Sequence, residues 1–193
     1  MMDEKHLNAA NANVLVDLGM GLGKLALQCF LEYPNLNTVI GLEFCQTRSN
    51  TAFRALNRFA ERTPSRLKWV LLEEGSSLKL IESPHRTMTR SVSRSIPSGR
   101  RLEFQQGDLF AFPHVAKADI VICETKIRSE RYEEFRHKLN QMKIGARLLT
   151  YEHLETVYRG VIFPFETFAS GERYLTSWAT CDGHSFFLYR KVR

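Results

Sequence analysis

Between Val14 and Lys24 the chain reads VLVDLGMGLGK, a short apolar run closed by an acid and followed by glycines on alternate positions. Leu22, Leu25, Ala26, Cys29 and Phe30 recur at i, i+3, i+4, i+7 and i+8, one apolar face of a helix that Pro34 and the Asn35-Leu36-Asn37 cluster stop. Thr38 to Leu42 reads as a second buried strand ending at Glu43, and Ala52, Ala55, Leu56 and Phe59 mark a second helix face. Strand, helix, strand, helix with short connections makes a parallel sheet covered on both faces. In such sheets ligands bind at the carboxyl ends of the strands, where the glycine turn and Glu43 both fall.

The glycine spacing separates the ligands such a turn can take. A phosphate-cradling NTPase loop needs GxxxxGK followed by Ser or Thr, but positions 18 and 25 are both Leu. A dinucleotide fold needs GxGxxG, and Lys24 stands where its third glycine belongs. Acid-x-Gly-x-Gly-x-Gly suits a ligand without pyrophosphate: the glycines admit an adenosyl group, and helix-start N–H groups can face a carboxylate. Glu43 can accept from both hydroxyls of a ribose. S-adenosylmethionine combines a ribose, an amino-acid end and no phosphate, and it is the cofactor expected here.

The rest of the chain extends the same architecture. Leu67 to Leu72 suits a short strand or an extension of the helix before it. Residues 76–101 read as a flexible Ser/Arg-rich insertion, with Arg86, Arg90, Arg94, Arg100 and Arg101 and no acid from Pro84 onward. Those arginines are candidates for contact with nucleic-acid phosphates, set against a solvated loop. Leu102 to Gln105 alternates like a strand and runs into Gly107-Asp108-Leu109, where Asp108 can accept from an adenine amino group and Leu109 can cover the ring. Asp119 to Glu124 is a further strand, Tyr132, Phe135, Leu139 and Met142 are spaced for a helix, and Ala146 to Tyr151 is the next strand. Arg173 to Thr180 and His184 to Arg190 read as two closing strands about an Asp182-Gly183 turn. The expected fold is α/β: a Rossmann-like, mostly parallel seven-stranded sheet with helices on both faces and a C-terminal antiparallel hairpin, in one domain spanning 1–193.

Lys and Arg exceed Asp and Glu by 27 to 21, a tilt toward anionic partners. Cys29, Cys45, Cys123 and Cys181 lie far apart without CxxC pairing, and the six histidines show no ligand spacing, so no metal is expected. No apolar run has membrane-spanning length, and the N-terminus has no signal-peptide core.

VDLGMGLGKLALQ, the GLE that ends at Glu43, the Gly107-Asp108 pair and SWATCDGHSFFL at 177–188 resemble the non-SET histone lysine methyltransferases, the disruptor-of-telomeric-silencing family within the class I S-adenosylmethionine-dependent methyltransferases. The resemblance runs with gaps from about Val14 onward and skips the arginine insertion. It implies that Asp17, Gly19, Gly21, Gly23 and Lys24 form the cofactor turn, with Lys24 where the family has Gln. It also implies Glu43 at the ribose and Asp108 with Leu109 at the adenine, where the family has Phe at the second position. Trp178 and Phe186 would line a lysine channel, Phe186 standing in place of Tyr. Cys123-Glu124 replaces the family's Asn-Asn, which makes both residues candidates for the acceptor pocket. The family's cofactor-clamping segment has no counterpart in the thirteen residues before Val14.

The activity implied is methyl transfer to a lysine of a histone or nucleosome, in the nucleus, with cytoplasm as the alternative address. An acceptor of RNA or a small molecule is the alternative, although no Asn/Asp-Pro-Pro-aromatic motif follows the strand ending at Cys123. A binding or scaffold protein with a decayed site is the second alternative. From the residues alone, Trp178 and Phe186 suit the core better than a channel, Cys123 suits a buried small hydrophobe better than a nucleophile, and Glu124 equally suits a loop carboxylate paired with Lys126.

Overall fold

The computed structural model describes residues 2–62, 68–83, 99–174 and 183–193. Its strands are β1 (Val14–Leu18), β2 (Thr38–Glu43), β3 (Lys68–Glu74), β4 (Ser77–Ser83), β5 (Arg101–Gln106), β6 (Ile120–Cys123), β7 (Arg147–Thr150), β8 (Phe165–Tyr174) and β9 (His184–Lys191). The helices are α1 (Lys24–Glu32), α2 (Gln46–Arg62), α3 (Tyr132–Asn140) and α4 (Leu154–Val157). One sheet runs β3-β4-β5-β2-β1-β6-β7-β9-β8. β5, β2, β1, β6 and β7 are mutually parallel, while β9 enters antiparallel to β7 and β8 antiparallel to β9.

Alternate side chains of each central strand feed two cores, as a sheet buried on both faces requires. Leu15, Val39 and Leu102 pack with Ala26, Cys29 and Phe30 of α1 and with Ala52 and Leu56 of α2. Val16, Ile40 and Val121 pack with Phe135 and Leu139 of α3 and Val157 of α4. This is the expected doubly covered α/β sheet.

Four expectations need correction. Among the described residues the sheet has nine strands, because 68–83 folds into an antiparallel hairpin that extends the β5 edge. The insertion therefore does not start at Ser76: Leu78 and Leu80 are buried, and only 84–98, with Arg86, Arg90 and Arg94, falls outside the described residues. Leu22 is 44% exposed, because the helix starts two residues later and its buried face is Ala26, Cys29 and Phe30. At the C-terminus the first closing strand is β8, which starts at Phe165 rather than Arg173 and pairs Tyr174 with His184, while its expected end at Thr180 and the turn residue Asp182 lie outside the described residues. Trp178 lies outside the described residues.

Arg100 is engaged within the protein. Its guanidinium donates to the carbonyls of Phe30, Tyr33 and Leu36, where α1 ends, lies over the Phe30 ring at 4.4 Å, and pairs with Glu82 at 3.2 Å. A cation there satisfies the acceptors a helix C-terminus leaves open. Arg100→Ala is expected to destabilise the protein by roughly 2–4 kcal/mol, since several half-buried acceptors lose their donor together. Urea unfolding checks this: the midpoint should fall with the slope unchanged.

Arg101 is exposed at the start of β5. It pairs with Thr38 at the amino end of β2, whereas Gln106 pairs with Glu43 at the carboxyl end. Segment 84–98 thus joins the sheet about 20 Å, six residues of strand, from the end where Glu43 lies.

Candidate functional site

At the carboxyl ends of β1 and β2 the glycine turn folds back on its neighbour strand. The N–H groups of Gly19 and Met20 both donate to the Leu42 carbonyl, at 2.8 and 2.9 Å. Gly19 has φ +85°, and a Cβ there would strike the Thr125 hydroxyl, so only glycine lets the turn meet the β6–α3 connection. A Cβ on Gly23 (φ +75°) would enter the Phe104 ring, so this glycine brings the start of α1 down onto β5.

Glu43 is buried and bound at both oxygens. Gly21 N–H donates to Oε2 at 3.0 Å, while Cys45 N–H and the Arg48 guanidinium donate to Oε1, each at 2.8 Å. An ionised carboxylate has about four acceptor positions, which leaves room for a further donor from the cleft. Beyond it opens a cleft of about 330 Å³ lined by Glu43, Asp108 and Leu109, as expected, together with Gly19, Leu42, Phe44, Gly107 and Phe110. The opposite wall is the connection from Thr125 to Arg131. Arg131 lies over the Phe110 ring at 3.7 Å and 3.6 Å from Asp108.

Glu152 fixes that wall. This buried carboxylate, just beyond β7, accepts from Ile127 N–H at 2.9 Å and from the Tyr132 hydroxyl at 3.2 Å, and pairs with Lys126 at 3.2 Å. Lys126 is therefore Glu152's partner and not Glu124's. Glu124 is half-buried and instead accepts the Tyr151 hydroxyl at 3.0 Å. Burial raises its pKa, opposed by that hydrogen bond and by His184. The Tyr151 ring lies against those of His184 at 4.0 Å and Phe186 at 5.1 Å. Phe186 is buried in the core cluster of the α1 face. Cys123 is fully buried, and burial pushes its thiol up to about 12, which suits a small apolar side chain better than a nucleophile.

Asp17 lies beneath the turn. It is 2% exposed and has no hydrogen-bond partner among the described residues, with Glu124 and Glu43 close enough to act on its charge. Burial first, then those two carboxylates, raises its pKa to about 8. Lys24 is exposed at the first position of α1 and does not line the cleft. Among the described residues no group of three or more His, Cys, Asp and Glu could hold a metal ion, and no helix is long and apolar enough to cross a membrane.

Phe44, Arg48, Phe110, Thr125, Arg131 and Glu152 were not singled out by the sequence. Phe44 and Phe110 do carry a local signal, each standing directly beside a singled-out residue, Glu43 or Leu109. Thr125 stands likewise beside Glu124, but Glu152 carries no such signal, because only the folded sheet brings it to this wall.

No family model and no curated protein matches the chain. Solved structures do. One is CalS10 from Micromonospora echinaspora, an amino pentose methyltransferase with S-adenosylmethionine bound (TM-score 0.55, 13% identity, 96% of this chain and 87% of that one). Another is the Streptococcus pneumoniae protein Sp1610, a candidate tRNA (m1A22) methyltransferase (TM-score 0.56, 10% identity, 100% and 72%). A third is TYW2 of P. horikoshii, in complex with MeSAdo (TM-score 0.53, 16% identity, 98% and 64%). The identities are too low to carry more than architecture, and none of these is a histone lysine methyltransferase. The chain has the Rossmann-like fold of the class I methyltransferases, widened by the β3–β4 hairpin.

Proposed function

We propose that this protein is an S-adenosylmethionine-dependent methyltransferase whose acceptor is an RNA or a small molecule. The observation that carries the cofactor reading is the set of three carboxyl groups, Asp17, Glu43 and Glu124, gathered around a glycine turn, with Asp17 buried and without a hydrogen-bond partner among the described residues. Such a floor repels a pyrophosphate and favours a ligand bearing cationic groups. S-adenosylmethionine supplies an electrophilic methyl on a sulfonium and carries an ammonium as well. Its ribose hydroxyls would meet the remaining acceptor positions of Glu43. Its adenine would fit between the apolar walls Leu42, Phe44 and Leu109, with Asp108 accepting from the amino group. Asp17 and Glu124 would face the cationic end.

Methyl transfer to a nucleophile is an in-line displacement, so the protein's work is alignment within about 3 Å and exclusion of water. Glu124 is placed at the carboxyl end of β6, where its raised pKa and its bond from Tyr151 suit it to accept a proton from an acceptor O–H or N–H. The acceptor reading takes support from the company of solved structures, which includes an amino pentose enzyme and a candidate tRNA enzyme. A histone lysine, the acceptor implied by the motif resemblance, remains an arm of the test.

Titration calorimetry of the full chain with S-adenosylmethionine and, separately, NAD tests the first half. Saturable binding of S-adenosylmethionine with none of NAD is expected. No binding of S-adenosylmethionine by folded protein overturns the reading in favour of a scaffold. Labelled methyl transfer to total RNA, a small-molecule extract, free histones and nucleosomes tests the second half, and label on histones alone overturns it.

A further inference from the structure

The floor and the mouth of the cleft carry opposite charge. Among the described residues, the charged ones lining the cleft are two carboxylates, Glu43 and Asp108, and four cations, Arg48, Lys126, Arg128 and Arg131. S-adenosylmethionine has no phosphate and a net positive charge at neutral pH, so a ring of cations around its site opposes binding electrostatically. Its single carboxylate would lie at the start of α1, not at this rim. Arg131 is engaged with Phe110, Asp108 and Glu134. The other three project outward. The side chains of Arg48 and Lys126 are 58% and 77% exposed, although each touches a buried carboxylate, and Arg128 is exposed with no side-chain hydrogen bond or ion pair among the described residues.

We propose that Arg48, Lys126 and Arg128 form a binding surface for the phosphate backbone of a nucleic acid lying across the mouth of the cleft. The three come from two elements, the first turn of α2 and the β6–α3 connection, which line one cleft, and Gly19 leaves room for Thr125 of that connection beside the turn. Glu152 holds the Lys126–Ile127 segment in place, so the cations are presented on a braced loop. The net charge of +6 acts in the same direction at long range. The surface differs from the arginine-rich 84–101 stretch, which joins the sheet at its opposite end. The proposal rests on the cofactor reading only in what it takes the cleft to hold. RNA and duplex DNA share the backbone chemistry, and the test separates them.

The experiment uses the full chain, a fluorescent mixed-sequence RNA and a duplex DNA of equal length, with anisotropy read between 50 and 200 mM salt. The parent is expected to bind at least one of them, with affinity falling steeply as salt rises. Lys126→Ala/Arg128→Ala should weaken that binding at least about tenfold at low salt and reduce the log–log salt slope by about 2, roughly one for each lost phosphate contact. Arg128→Glu reverses an exposed charge without touching Glu152, and should weaken binding with no change in melting temperature. A parent that binds neither polynucleotide, or variants that bind like the parent, overturns the proposal. Loss of cofactor binding in the parent instead condemns the cofactor reading, so the two failures are told apart.

Discussion

A Glu43→Ala variant is expected to bind S-adenosylmethionine about 100-fold more weakly than the parent. Two causes act together. The carboxylate is the acceptor proposed for the ribose hydroxyls, and a hydrogen bond to a charged group contributes about 1.5–3 kcal/mol, the larger figure being about 100-fold in affinity. The same carboxylate ties the glycine turn to β2, since Gly21 N–H ends on Oε2 while Cys45 N–H and Arg48 end on Oε1. Alanine leaves two backbone donors without their partner, so a loss of stability of roughly 2 kcal/mol should accompany the loss of affinity. Glu43→Gln separates the causes. It keeps the volume and one acceptor oxygen but turns an NH2 toward a donor, so it should lose less stability than alanine does and still bind at least about tenfold more weakly. Calorimetric titration with a melting curve for each variant checks both. Parent-like affinity in Glu43→Ala would remove Glu43 from the cofactor site.

Glu43 illustrates what the linear chain discloses and what it withholds. Its place follows from local pattern alone: an apolar run that ends in an acid, next to a glycine turn one helix earlier. Asp108 follows in the same way from the strand before it. Both line the cleft. The far wall does not follow from local pattern, because Thr125 meets Gly19 across more than a hundred residues of chain and Glu152 clamps Ile127 from the end of another strand. Such contacts exist only once the strand order is set, and hydrophobic spacing carries no trace of them.

Composition misled where it was read as disorder. Ser77 to Ser83 carries Ser, Lys and Glu, yet Leu78 and Leu80 alternate toward the core and the segment pairs along its length. Arg100 has the composition of a phosphate-binding loop, but its guanidinium closes the end of α1. The motif resemblance adds a histone lysine acceptor, and architecture alone does not select an acceptor. Basic residues outside the insertion, at Arg48, Lys126 and Arg128, lie closer to where such a selection would be made.

Asp17 should make the protein less stable as pH rises through the neutral range. In the unfolded chain its carboxyl titrates near 3.9. In the folded protein burial, reinforced by Glu124 and Glu43, raises that to about 8. Between these two values the folded state holds a proton that the unfolded state has released. This group's contribution therefore weakens stability from about pH 4 to about pH 8, by at most about 1.4 kcal/mol per unit, and levels off above that. Asp17→Asn removes the titration and keeps the shape. Near pH 4 the variant should match the parent; at pH 8.5 it should exceed it by up to roughly 5 kcal/mol, or about 10–20 °C in melting temperature. Cofactor binding should move the other way. A sulfonium or ammonium beside Asp17 favours the ionised form, so below pH 8 binding must release the proton, and affinity should climb with pH by up to tenfold per unit. Calorimetry in buffers of different ionisation heat reads that proton directly. The Asn variant should show no such release and should bind more weakly than the parent at pH 8. Equal parent affinity at pH 6 and pH 8 would mean that no cation of the ligand comes near Asp17, and that the acidic floor serves something other than a positively charged cofactor.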